Sequence, residues 1–99
     1  MKEKFFKPSR DIAGRMLDTE MIVMAVKDSR VFSLNGTASL IWSAADGATP
    51  LSEIVKSKLM PEFEVDFETA YLDALALVEE LAQEGILLLA DHPIGPEGA

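Results

Sequence analysis

The sequence predicts a small α+β domain of winged helix-turn-helix type, a three-stranded antiparallel sheet followed by three helices. Three observations carry that expectation. Strand-like apolar runs separated by polar turn residues fill positions 14–34. Helix caps and helix stops alternate behind them. The chain has 99 residues, 48% apolar and 26% charged, which suits one folded domain with one modest core.

Residues 1–13 contain Pro8 and no clean period, and they read as a flexible lead-in to a domain over 14–90. Met21 to Val26 is an unbroken apolar run with β-branched members. Asp18-Thr19-Glu20 precedes it and Lys27-Asp28-Ser29-Arg30 follows it, both turn-like. Val31-Phe32-Ser33-Leu34 is a short strand after the second turn. Connections this tight make antiparallel neighbours, so residues 14–34 form a three-stranded meander. The middle strand is apolar on both sides, so either both its faces are covered or one serves a partner.

Asn35 caps a first helix over Gly36 to Ala45, which has Ala38, Ile41, Trp42 and Ala45 on one face and ends at Asp46-Gly47. Thr49 caps a second, with Pro50 at its first position, a stripe of Leu51, Ile54, Val55 and Leu59, and Pro61 as its end. Asp66 caps the third and longest, Phe67 to Glu84, which Gly85 stops. Its core stripe is Phe67, Tyr71, Ala74, Val78 and Leu81. Ile86-Leu87-Leu88-Leu89 is a last short strand, and residues 91–99 are a Gly/Pro tail expected to be mobile.

Composition excludes much chemistry. Without cysteine there is no disulfide, thiolate nucleophile or thiolate metal site, and this fits a reducing compartment. His92 is the lone histidine and sits in the tail beside Asp91, so no triad or His-rich metal site is expected. Glu79, Glu80 and Glu84 read as a solvated face. The glycines stand singly at turns and caps rather than in a phosphate loop. We therefore expect no catalytic residue, no metal and no cofactor, and a protein that is not an enzyme.

The net charge is −8, unevenly placed. A winged helix ordinarily lays its third helix in the DNA major groove. Here that helix carries Asp66, Glu68, Asp73, Glu79, Glu80 and Glu84 and no cation, so a phosphate backbone is repelled and no arginine can read guanine. Neither nucleic acid nor an anionic membrane is an expected partner. No apolar run approaches a membrane span or a signal peptide, and a cytoplasmic location is expected.

With Ala74 at the centre of the buried stripe, Leu72 and Ala76 fall on the far side of the third helix and Leu75 at the margin, flanked by Glu68 and Glu79. This strip is either scattered surface residues or one wall of a groove for an extended peptide. The other wall would be the edge strand Val31, Phe32, Ser33 and Leu34, which no proline blunts. Such an edge can take a strand from a partner peptide or pair with a second copy in a homodimer.

Several segments resemble the PqqD family: Leu34-Asn35-Gly36-Thr37-Ala38, Ile41-Trp42, Asp46-Gly47, Pro50-Leu51-Ser52-Glu53-Ile54 and Leu81-Ala82-Gln83-Glu84-Gly85-Ile86-Leu87. The similarity spans roughly residues 15–90, and its specificity lies in the order and spacing of the pieces. It implies a peptide chaperone, or precursor-peptide recognition element. Such a domain binds the leader of a ribosomally made peptide and presents it to a modifying enzyme, often a radical SAM protein. In the family the leader adds to the third strand and packs on the third helix. That places the peptide-binding residues at Val31, Phe32, Ser33 and Leu34, with Glu68, Leu72, Leu75, Ala76 and Glu79 opposite. Trp42 stands where proteins of pyrroloquinoline quinone synthesis are usually aliphatic, and it is closer to lasso-peptide leader-recognition proteins and other PqqD-like members, so the resemblance is to the broad family. The alternatives are a winged-helix transcription regulator and a structural subunit of a biosynthetic enzyme complex.

Overall fold

The computed structural model describes residues 3–18, 20–26, 29–34 and 36–95. The expected Asn35 cap, Thr19, Lys27-Asp28 and the last four tail residues lie outside them. The meander forms as expected. β2 (Ile12–Leu17), β3 (Glu20–Ala25) and β4 (Arg30–Leu34) lie in that order, antiparallel throughout, with Met24 opposite Ala13 on one side and Val31 on the other. Alternation along β3 sends Met21, Val23 and Ala25 into the core and leaves Met24 and Val26 outside. So the apolar middle strand is covered on one face only.

Gly14 of β2 faces Trp42, and a Cβ built there would stand 2.8 Å from the indole Nε1. The glycine lets the first helix, α1 (Gly36–Ser43), approach the sheet this closely. Ser39 fastens the two: its buried Oγ donates to Leu34 O at 2.6 Å and accepts from Met21 N at 3.2 Å. Ser39→Ala removes both bonds, and a loss of about 1–3 kcal/mol in urea denaturation is expected.

The segment read as a lead-in is structural. β1 (Phe5–Pro8) pairs antiparallel with β5 (Leu87–Ala90), Phe6 opposite Leu89, in a second, two-stranded sheet. Phe6 is fully buried. The other edge of β1 is also used, since Phe6 O accepts from Gly47 N and Lys4 O from Leu51 N, both at 2.8 Å. The tail is tied down as far as it is described: Ile94 N donates to Gly47 O at 2.8 Å, and Lys7 Nζ to Gly95 O at 2.9 Å.

Three helical stretches complete the core. The middle one is α2 (Leu51–Ile54), a π-helical turn (Val55–Leu59) and α3 (Met60–Phe63). Two expectations are corrected here. Pro50, not Thr49, holds the cap position, and Thr49 instead donates its N–H and its hydroxyl to Asp46 at 2.8 Å each. The backbone donor of Leu51 needs no side-chain cap because Lys4 O accepts it. Pro61 does not end the helix; the wide turn before it re-registers the ladder where proline has no N–H to give, and Glu64 at φ 52° is the stop.

α4 (Phe67–Gln83) begins as expected, with the Asp66 carboxylate accepting from Thr69 N at 3.0 Å, and Gly85 at φ 82° follows its end. Ala70, Tyr71, Ala74, Val78 and Leu81 are its buried stripe, with Phe67 half-buried. Bonds to Thr69 hold the Asp66 carboxyl below its usual range, and bonds to Thr49 and Ala48 do the same for Asp46. Both are stronger acids folded than unfolded. Their contribution is complete above the ordinary value of 3.8 and is lost as pH falls through the lowered values. Melting temperature should therefore drop on acidification below about pH 4, and less steeply in Asp66→Asn, which caps without titrating.

Candidate functional site

β4 is an edge. β3 pairs with one side of it, and no described strand covers the other. The bond from Val26 N to Asp11 O sets the phase of the ladder. Backbone groups of Met21, Val23 and Ala25 then point at β4, where Leu34, Phe32 and Arg30 stand opposite. The N–H and C=O groups of Val31 and Ser33 are left facing outward. The Val31 side chain is 58% exposed, Phe32 is half-buried, and Leu34 is buried with its carbonyl taken by Ser39. The Ser33 hydroxyl donates to Glu20 at 3.0 Å on the outer face and leaves the backbone edge open.

One contact ties β4 to the end of α4, and helical spacing extends the face that it marks. At one end Arg30, which also covers the Phe32 ring at 5.3 Å, donates to the Glu84 carboxylate at 2.9 Å and to its carbonyl at 2.7 Å. At the other end Asp73 lines a small cleft with Thr37, Leu59, Phe63 and Val65. Asp73 and Glu84 are three turns apart and share a face, so Leu77 and Glu80 lie between them on the same side, with Ala76 at its outer margin.

The expected helix residues do not all meet the strand. Glu79 lines a different cleft, with Ala82, Gln83 and Leu87 to Leu89 of β5, and Glu68 and Leu75 share its side of α4 by helical spacing. Leu75 is half-buried against the core, whereas Leu72 is 56% exposed and points outward. Of the expected wall, Ala76 is therefore nearest the edge strand. A helical wheel identifies an exposed strip but not which of its two sides the sheet lies on. Asp73, Leu77 and Glu80 share the side that Arg30 touches and so lie off that strip. Phe63 lies beyond Pro61, where the sequence predicts that the helix has ended.

β4 thus presents an open backbone edge with the half-buried Phe32, and the side of α4 that Arg30 reaches presents the half-buried Leu77 among carboxylates. An edge and a helix face of this kind can form a groove that adds an extended strand, takes its alternate side chains inward, and favours one bearing cations. Among the described residues no group of three His, Asp or Glu side chains could hold a metal, and no helix is long and apolar enough to cross a membrane.

Comparison with protein-family models matches residues 20–87 to "Coenzyme PQQ synthesis protein D (PqqD)". Comparison with curated proteins finds no match. Two solved structures share the fold. TbiB1 in complex with the TbiA(beta) leader peptide is 26% identical, with a TM-score of 0.75 over 82% of this chain and 93% of that one. A lasso peptide synthetase B1 complexed with the leader peptide is 28% identical, with a TM-score of 0.74 over 84% of this chain and 96% of that one.

Proposed function

The chain belongs to the PqqD family, and from that premise we propose that it binds the leader segment of a ribosomally made precursor peptide and presents it to a modifying enzyme. The observation that carries this reading is the open edge of β4 beside the acidic face of α4. The leader adds antiparallel to β4, bonding to the outward groups of Val31 and Ser33. Its inward side chains pack on Phe32 and Leu77, and Ala76 leaves room at the rim. The two similar chains were solved with leader peptides, which supports the same occupant here. The role is binding and delivery rather than catalysis. A radical SAM protein is one candidate for the enzyme served.

Self-pairing of β4 in a homodimer competes for the same groups. It would set two acidic α4 faces near each other across the new sheet, a repulsion that a basic foreign strand turns into attraction. The test is fluorescence anisotropy with the labelled leader of the precursor encoded alongside this chain. Micromolar binding that weakens with added salt is expected. No binding at tens of micromolar in low salt would overturn the proposal.

A further inference from the structure

A concavity lies beyond the Leu34 end of β4, where Gly36 meets Phe63. It is a pocket of about 350 Å3 between the end of β2, the start of α1 and α3. Met16, Leu40 and Phe63 give it an apolar lining, to which Met16 and Phe63 contribute while 49% and 42% exposed. Its charged lining residues are Asp18 and Glu62, both acidic, and no described residue forms an ion pair with either. Phe63 also lines the small cleft with Asp73, so the two concavities share this ring.

We propose that this pocket receives a lysine or arginine side chain from the part of the bound peptide that precedes the strand on β4. The inference rests on the leader-binding reading. A strand antiparallel to β4 starts opposite Leu34, so its preceding residues pass Gly36 and Phe63. Lysine and arginine match the pocket in both respects. Their aliphatic stems suit Met16, Leu40 and Phe63, and their charged ends suit Asp18 and Glu62. An aliphatic side chain would leave the two carboxylates unused, and an acidic one would be repelled.

The pocket can be tested without the leader. Titration with n-hexylammonium, followed by amide NMR shifts, should move Met16, Leu40 and Phe63 saturably in the millimolar range. Hexanol, hexanoate, and hexylammonium on the Asp18→Asn/Glu62→Gln variant should each bind about fivefold more weakly or worse. Equal affinity for the three compounds, or shifts centred elsewhere, would overturn the proposal. With the cognate leader, changing the cations upstream of the paired segment to glutamine should cost wild type about fivefold in affinity and the double variant less than about twofold. Equal losses in both proteins would refute the link to the peptide. A leader that binds neither protein would refute the leader-binding reading instead, while the hexylammonium titration still judges the pocket.

Discussion

Ser33→Pro should abolish leader binding and leave the fold intact. Proline removes one backbone donor and adds ring atoms where it stood. At position 33 that donor faces outward, away from β3, so the ladder within the sheet loses nothing. Proline is tolerated on an edge strand when its missing N–H would have faced solvent. A peptide strand meets a different surface. It loses a hydrogen bond and must stand off from the ring, which together cost more than about tenfold in affinity. The neighbouring position is the control. Phe32 points its backbone at Val23, so Phe32→Pro breaks the sheet itself and should appear as lost folding in circular dichroism. Normal leader binding by a folded Ser33→Pro protein would show that the peptide does not add to β4.

The same ladder explains what could be read in the sequence. The meander and α4 were legible because their signals are local: turn residues between apolar runs, Asp66 at the cap, Gly85 after the stop. The edge strand was legible too, since a three-stranded meander leaves its last strand at a margin. The acidic wall was legible as chemistry but not as position. Which side of α4 faces β4 is fixed by Arg30 on Glu84, a contact across 54 residues that no wheel contains. Pro61 misled for a related reason, because the π-helical turn that carries the helix past it has no composition signal. The wheel therefore groups Leu75 and Glu79 with the strip opposite β4, whereas Glu79 lines the cleft beside β5 and Leu75 is half-buried against the core.

The miss with the largest energetic consequence is β1, and it yields the second strong expectation. Its four residues include Pro8, show no alternation, and pair with a strand about 80 residues away. Strand pairing at that distance is invisible to a local pattern. Phe6 has no exposed surface, and the backbone around it ties together Gly47, Leu51 and β5. Phe6→Ala should therefore cost about 3–5 kcal/mol in urea denaturation, as truncation of a buried aromatic does. Against a total stability of about 5–15 kcal/mol for a small domain, that removes a large share of the margin, and nearly all of it at the low end of the range. Phe5→Ala, on a half-buried neighbour, should cost clearly less. If Phe6→Ala instead lowers stability by under about 1 kcal/mol, the first thirteen residues are the dispensable lead-in that their composition implies. A cost near the upper figure would make β1 part of the scaffold that holds α4 against the core, and so of what fixes the acidic wall beside β4.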